Sequence, residues 1–325
     1  MNVLVTGGAG YIGAHIVDLL CDYNYTVIVF DNLSSGFKEN LNNKAIFIKG
    51  NILSQQDLES VFNKFNISII IHMAAYKSAG ESMSLPDKYT KNNIIGSINV
   101  ISAAIKFNVD KFVFSSTAAV YGKPKYSPVD EKHSLEPINY YGFTKLFIEQ
   151  YLEWISKIQS MRFVVLRYFN AAGYTNKESL IQFKEKNPEN LLPIIMEVAN
   201  KSRTSLDVFG DDYKTKDGTC IRDYIHVKDL AAAHLKSLDY LFSDNDKDNL
   251  IVNLSSNVGY SVLDVIKAVE KYIGMKINYK ITQRRKGDPA ELISISKNAL
   301  EKLNWKPKFS TIEQIIDSMW NIYKK

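Results

Sequence analysis

Thr6-Gly7-Gly8-Ala9-Gly10-Tyr11-Ile12-Gly13 leaves few folds open to this chain. Gly7, Gly10 and Gly13 fall between an apolar run, residues 3–6, and a helical pattern near residues 12–23. That spacing meets three needs at once: a tight turn, a close backbone approach to a pyrophosphate, and a helix packed tightly on a strand. The anion then lies at the positive end of the helix. Three glycines alone are a weak signal, since many loops carry them. The strand before and the helix after give the motif its weight.

A regular alternation follows. Strand-like runs cover residues 3–6, 26–30, 45–49, 67–72, 111–115 and 162–166. Helical patterns lie near 12–23, 55–64, 86–107 and 141–158. Ser68-Ile69-Ile70-Ile71 is apolar at successive positions, as in a strand covered on both faces. The pattern predicts an α/β fold built on a doubly wound parallel sheet of the Rossmann type. After about residue 170 it loosens: 174–188 is polar and reads as loop, and the alternation returns at 221–227, 229–241 and 250–254. Ser310 and Glu313 have capping-box spacing. Ile312, Ile315, Ile316, Met319, Trp320 and Tyr323 then form one apolar stripe of a last helix. A second, smaller domain is expected to pack against the first, with chain crossing between them.

Composition removes several classes. The 325 residues suggest about two domains. A content of 46% hydrophobic and 23% charged residues is the balance of a folded protein. No run approaches the roughly 20 apolar residues of a membrane helix, and the start of the chain lacks the pattern of a signal peptide. Cys21 and Cys220 are too few for a disulfide framework. A cytoplasmic protein with no metal site is expected. The net charge of +5 comes from 40 basic against 35 acidic residues. Its clusters, such as Arg284-Arg285-Lys286, are short and no recognition motif accompanies them, so nucleic acid is not an expected partner.

Two further features carry chemistry. Asp31 ends the second strand, where a carboxylate accepts both ribose hydroxyls of an adenosine and repels a 2′-phosphate. NAD is therefore favoured over NADP; the alternative is a surface Asp in a plain turn. Tyr141 and Lys145 stand four apart on one predicted helix face. An ammonium beside a phenol favours phenolate and lowers the tyrosine pKa, which suits a group that takes and returns an alcohol proton. Taken alone, the spacing fits an exposed helix pair equally well. Thr117, at the end of the fifth strand, is placed to hydrogen-bond the same hydroxyl, or is a simple strand-end hydroxyl.

These residues carry a resemblance that runs nearly end to end. The chain resembles the extended short-chain dehydrogenase/reductase superfamily, and within it the UDP-glucose (UDP-galactose) 4-epimerases. The shared motifs are Gly7–His15, Asp31-Asn32-Leu33, Ala74-Ala75-Tyr76-Lys77 with Gly80-Glu81-Ser82, Phe114–Gly122, Tyr141–Lys145 and Leu166-Arg167-Tyr168-Phe169-Asn170. Phe209-Gly210-Asp211-Asp212-Tyr213, Asp217–Val227 and Arg284-Arg285-Lys286-Gly287-Asp288-Pro289 continue it. The resemblance implies a NAD-dependent inversion at C4 of a UDP-hexose through a 4-keto intermediate. It implies Tyr141 as acid/base, with Lys145 and Thr117 as helpers. By position, Gly7, Gly10, Tyr11, Ile12, Gly13, Asp31, Asn32, Asn51, Ile52, Ala74, Lys77, Asn92, Tyr141, Lys145 and Tyr168 fall on the cofactor side. Lys77, Thr117, Tyr141, Phe169, Asn170, Asn190, Leu191, Phe209, Arg222, Arg285, Asp288 and Leu292 fall on the substrate side. Two arginines are the cationic donors a diphosphate needs, and Asp288 suits ribose hydroxyls.

Plainer readings stand beside these. Phe169 and Phe209 fit core aromatics, Arg222 and Arg285 surface ion pairs, and Asn92 and Asn190 local caps. His226 reads as a buried structural histidine and Cys220 as a small core residue. The resemblance assigns residues 1–170 to a NAD domain, with 221–254 crossing back, and 171–325 mainly to a UDP-sugar domain. Relatives dimerise through the helices near 86–107 and 141–158. Phe147, Ile148, Tyr151 and Leu152 supply extra apolar positions there, or simply face the sheet.

Departures from the family pattern are informative. Asn51 replaces a common Asp near the adenine, Tyr140 replaces a common Pro before Tyr141, and residues 174–187 lack a common acidic signature. Four residues after Asp288, hexose-restricted relatives carry a bulky Tyr; here Leu292 stands there. A smaller side chain opens room for a 2-N-acetyl group, unless Leu292 is core packing. Ala118-Ala119 follow Thr117 where 4,6-dehydratases have Asp-Glu, so dehydration lacks its acid/base pair. UDP-glucuronate 4-epimerisation stays open through Lys77, and a non-catalytic NAD sensor would tend to lose the Tyr–Lys pair.

Overall fold

The computed structural model describes residues 1–175, 184–185, 188–243, 248–285 and 287–324. Parts of the expected loop at 174–188, and Lys286 of the basic run, lie outside them. The first half reads β1 (Asn2–Thr6), α1 (Tyr11–Asp22), β2 (Thr26–Asp31), β3 (Ile46–Lys49), α2 (Gln55–Lys64), β4 (Ile69–His72), α3 (Ala79–Ser84), α4 (Pro86–Tyr89), α5 (Gly96–Lys106), β5 (Lys111–Thr117), α6 (Tyr140–Ile158) and β6 (Arg162–Tyr168). The second half reads β7 (Asn170–Ala172), α7 (Leu191–Ala199), β8 (Leu206–Phe209), β9 (Ile221–His226), α8 (Val227–Phe242), β10 (Leu250–Leu254), β11 (Gly259–Ser261), α9 (Val262–Ile273), β12 (Tyr279–Thr282), β13 (Glu291–Leu292), α10 (Lys297–Leu303) and α11 (Ile312–Tyr323).

Seven strands form one parallel sheet in the order β10-β6-β5-β4-β1-β2-β3. Its apolar strands explain the layers. In β1, Val3 and Val5 enter one hydrophobic cluster with α1 and α8, while Leu4 enters the other with α2, α5 and α6. In β4, Ile69 and Ile71 face the first cluster and Ile70 the second. A strand buried on both faces needs no polar alternation, because helices cover each side. The order reverses between β1 and β4, and the crevice at the carboxyl ends there is where such folds bind ligands.

The remaining strands build a smaller layer. β9 joins β7, β11 and β13 in one sheet, and β8 pairs with β12 in another. A third cluster gathers α7, α9 and α11 over them. Of the residues expected to cross back, α8 and β10 lie with the large sheet, whereas β9 belongs to the smaller one.

Local details correct some expectations. Strands β5 and β6 run two residues further than the apolar pattern, carrying Thr117 and Tyr168 into the sheet. The helix expected over 86–107 contains a wider π turn at Thr90–Ile95. Ser310 does not cap the last helix. The cap falls one residue later, on Thr311, which accepts from the Gln314 N–H. Ser310 is occupied elsewhere, donating to Asp229 at 2.6 Å and accepting from the His226 N–H at 2.8 Å. Ile148 and Leu152 face the sheet as core residues, and Phe147 and Tyr151 pack partly against it. His226 is buried, capping α8 through Nδ1 and meeting Ser318 through Nε2. Cys220 is only half-buried rather than a core residue, and burial pushes its thiol up. Among the described residues no helix is long and apolar enough to cross a membrane, and no group of His, Cys, Asp or Glu is arranged for a metal.

Candidate active site

The glycine loop runs along the reversal between β1 and β4. Gly7 holds φ +72°, and a Cβ there would lie 2.6 Å from the Ala74 nitrogen. A Cβ on Gly13 would lie 2.4 Å from the Gly7 carbonyl. Gly10 is the N-cap of α1 and presents no side chain to the groove. The cradle is thus bare backbone at a helix start, shaped for a pyrophosphate. Asp31 is buried at the end of β2. It accepts from Ala9 N–H at 3.0 Å and Leu33 N–H at 2.7 Å, and burial raises its pKa against those two bonds. Each carboxylate oxygen keeps lone pairs for further hydroxyls. The neighbouring polar groups are engaged locally: Asn32 accepts from the Ser34 N–H and Asn51 from the Leu53 N–H. Ile52 is buried against Gly96. These residues fit a dinucleotide with free ribose hydroxyls.

Other residues placed on the cofactor side spread further. The Tyr11 hydroxyl donates to the Gly173 carbonyl at 2.5 Å, and burial pushes its pKa up. Ile12 packs on the first cluster. Lys77 lies 5.9 Å from the Tyr11 ring centroid and pairs with Glu185. Asn92 does not cap a helix; its amide donates to Asn93 at 3.1 Å. Asn93, which no spacing in the sequence singles out, is buried. It accepts from the Tyr76 N–H, donates to the Tyr76 carbonyl and reaches Thr144 on α6. Both asparagines lie on the π turn, a local widening frequent at functional sites.

The reacting groups gather at the ends of β5, β6 and α6. Asn139 caps α6 by accepting from Gly142, and Ser82 accepts from the Tyr141 N–H at 3.0 Å. Tyr140, the departure from Pro, bonds Thr90 at 2.6 Å. Thr117 stands beside Tyr141 and favours its ionised form. Lys145 is buried one turn later and donates to the Ser115 carbonyl at 2.7 Å, with its ammonium 4.8 Å from the Phe114 ring centroid. The expected depression of the tyrosine is not found in the protein alone. Burial pushes Tyr141 up to about 12, with Thr117 opposing. Burial likewise lowers Lys145 to about 7, opposed by the charge of Glu149. Loss of water sets both shifts, and the ammonium is held in place by the Ser115 carbonyl. Tyr168 ends β6, in register with Thr117, and is also raised by burial.

The other side of the crevice is built by β9, β13 and the segment after β12. Arg222 reaches Asp288 at 3.6 Å and Arg285 reaches the same carboxylate at 3.0 Å. The expected ion pairs do form, and they place two guanidiniums around one small anion. The Arg285 guanidinium lies 5.2 Å from the ring centroid of Phe209, and that residue is 39% exposed, so Phe209 is not core. Phe169 is core, packed with Ala118, Val120, Tyr121, Val129 and Leu146. Leu292 packs on that same cluster while standing in register with Arg222. It therefore links the arginine side to the tyrosine side. Asn170 donates to the Asp223 carbonyl at 2.9 Å. Asn190 begins α7 without a side-chain cap, and Leu191 packs on the third cluster.

Comparison with known proteins places this arrangement. The model of the NAD dependent epimerase/dehydratase family matches residues 3–254. A UDP-glucose 4-epimerase of Halalkalibacterium halodurans is 41% identical over 326 residues, spanning all of this chain and 96% of that protein. The crystal structure of a UDP-glucose 4-epimerase from Brucella ovis in complex with NAD superposes with a TM-score of 0.95 at 37% identity, over 99% of this chain and 98% of that one. One from Bifidobacterium longum in complex with NAD+ and UDP superposes at 0.93 and 38% identity, over 99% and 97%.

Proposed function

The chain belongs to the NAD dependent epimerase/dehydratase family, and on that premise we propose that it inverts C4 of a UDP-hexose, interconverting UDP-glucose and UDP-galactose. The carrying observation is that Tyr141 at the start of α6 meets Thr117 at the end of β5 of the large sheet, while the smaller layer gathers two guanidiniums on Asp288. Leu292 joins the two sides. The similarity to UDP-glucose 4-epimerases over the whole chain supports the same reading. Residues 1–170 with the returning α8 and β10 form the NAD part, and 171–325 mainly the UDP-sugar part.

Tyr141 takes the proton of the sugar 4-hydroxyl and later returns it, and Thr117 holds that hydroxyl in line. The Lys145 ammonium favours the phenolate. Gly7, Gly10 and Gly13 admit a pyrophosphate to the helix start, and Asp31 accepts the adenosine ribose hydroxyls. NAD held by these residues would supply the hydride acceptor and donor for C4, with a 4-keto sugar between the two transfers. Arg222 and Arg285 hold the diphosphate, which frees Asp288 for the uridine ribose. This grip is remote from C4, so the keto sugar turns over without leaving.

The test is proton NMR of the purified protein with UDP-galactose and UDP-N-acetylgalactosamine, without added NAD. Inversion of UDP-galactose is expected. If neither substrate reacts and added NAD does not rescue the reaction, the reading fails. Leu292 is only partly buried where it packs on the Phe169 cluster, and a side chain smaller than Tyr there leaves room at C2, so the N-acetyl substrate is expected to react as well. Leu292→Tyr should cut its turnover by about 100-fold while changing UDP-galactose turnover less than about threefold. Equal losses with both substrates would overturn the role of Leu292.

We also infer a homodimer. Phe143, Trp154 and Ile158 on α6, and Ile95 before α5, are exposed apolar side chains. Light scattering should give twice the 36.9 kDa chain mass; a monomer at micromolar concentration would sink this part. The same reading puts the protein in the cytosol, where its two thiols stay reduced, and cell fractionation would check that.

A further inference from the structure

Behind the Tyr–Lys pair lies a buried ion pair that the mechanism above does not use. Glu149 and Arg167 are 1% and 2% exposed. The Arg167 Nη2 meets Glu149 Oε2 at 2.5 Å, and Nε lies 3.1 Å from both carboxylate oxygens. Ser116 donates to the same carboxylate. Arg167 goes on to the Tyr121 hydroxyl at 3.2 Å, which donates to Asn253 at 2.6 Å. The Asn253 N–H donates to Glu131 at 2.7 Å.

The location is specific. Glu149 follows Lys145 by one turn of α6. Ser116 precedes Thr117 on β5, and Arg167 precedes Tyr168 on β6, in register with Ser116. One carboxylate thus ties together the three elements that present Tyr141, Lys145, Thr117 and Tyr168. Stability alone does not call for such a pair, because well-packed apolar residues often replace a buried ion pair without loss.

The charges around Lys145 point the same way. Lys145 donates to the Ser115 carbonyl and lies by the Phe114 ring on β5, and its charge is felt by His72 on β4. His234 on α8 stands behind Ser115 at 3.1 Å. Burial keeps both histidines neutral. Glu149 is the one negative charge in this set, and it opposes the loss of charge that burial imposes on Lys145.

We propose that Glu149 is a positioning residue for the epimerisation: gripped by Arg167, it locks the Lys145 turn of α6 onto β5 and β6 and supplies the counter-charge for the lysine ammonium. This rests on the functional reading above. It extends the site by one layer, from groups that meet the sugar to the pair that fixes them.

The test compares Glu149→Gln with the double variant Glu149→Gln/Arg167→Met, each as NAD holoenzyme. Turnover of UDP-galactose, thermal midpoint and the Lys145 titration are read together. The titration uses ¹³Cε-lysine NMR, the resonance identified by its loss in Lys145→Met. In Glu149→Gln the Lys145 midpoint should fall by about one pH unit, with kcat at neutral pH down about tenfold and KM within about twofold. The double variant leaves no unpaired arginine, so its thermal midpoint should recover. Its kcat and Lys145 titration should stay displaced. Recovery of all three would make the pair a purely structural one and overturn the proposal, as would an unmoved Lys145 in Glu149→Gln. If the wild type inverts no UDP-sugar while Lys145 still follows Glu149, the functional reading falls and the coupling stands.

Discussion

Tyr141→Phe is expected to lower kcat for UDP-galactose by about 10³-fold, within the 10²–10⁴ that a positioned acid/base contributes. Removing one hydroxyl leaves the ring, the helix and the Ser82 bond to the Tyr141 N–H in place. NAD content and UDP affinity should therefore stay within about twofold of wild type. The large effect follows from what surrounds the phenol. Burial alone holds it up to about 12, so at neutral pH it is a poor base unless positive charge joins it. Lys145 is the protein's own source of that charge, and it is itself drawn down to about 7 by burial. The two groups work only in a window where the lysine still carries its proton. Activity should fall on the alkaline side as Lys145 deprotonates. A variant retaining more than about a tenth of wild-type kcat would show that another group carries the proton.

The second large effect is on stability. The protein should lose its tertiary structure cooperatively between about pH 5 and pH 4. Four histidines are buried and neutral: burial lowers His15 and His234 to about 4, and His72 and His226 to about 3. Their hydrogen bonds suit the neutral ring, as with His72 between Thr6 at 2.6 Å and Ser97 at 2.7 Å. The sign follows from proton uptake. The unfolded chain binds these protons below its ordinary histidine value near 6.5 and the native one does not, so stability falls as pH drops. At pH 5 each histidine costs about 2 kcal/mol, and the four together about 8. Asp223 works the other way. Burial raises it to about 7, so the native state takes its proton first and regains about 2 kcal/mol over the same range. The balance is a large part of the 5–15 kcal/mol that holds a typical domain together. Near-UV circular dichroism against pH measures it. A tertiary signal unchanged at about pH 3.5 would show that these rings are not buried as described. His234→Gln should move the midpoint to lower pH, because one such proton site is removed.

How far the sequence reaches differs from element to element. The glycine loop is legible because its needs are local: a turn, a bare backbone and a helix start occupy adjacent residues. The two-sided strands are legible for the same reason, since Ile69, Ile70 and Ile71 record which faces are covered. The boundaries are less so. Thr117 and Tyr168 are polar strand ends whose pairing depends on each other, and no apolar pattern marks them. The cap at Thr311 lies one residue beyond the spacing signal because Ser310 is drawn to Asp229, a partner 81 positions away. Asn93 is hidden beside Asn92 because a π turn, not a helical period, decides which of the two is buried.

The candidate site divides in the same way. Residue types at fixed spacing mark Tyr141, Lys145 and Asp31, and by themselves determined the α/β fold and a dinucleotide site. Tertiary structure alone decided the charges. Whether Lys145 stands beside a phenolate or bonds a carbonyl depends on water removed by β4, β5 and β6. Whether Arg222 and Arg285 are scattered cations or one clamp depends on a loop folding back to set Asp288 between them. Spacing along a chain fixes which groups share a helix face or a turn. Electrostatics depends on everything within a few ångströms from any part of the chain, and only the folded protein brings Glu149, Arg167 and Ser116 that close.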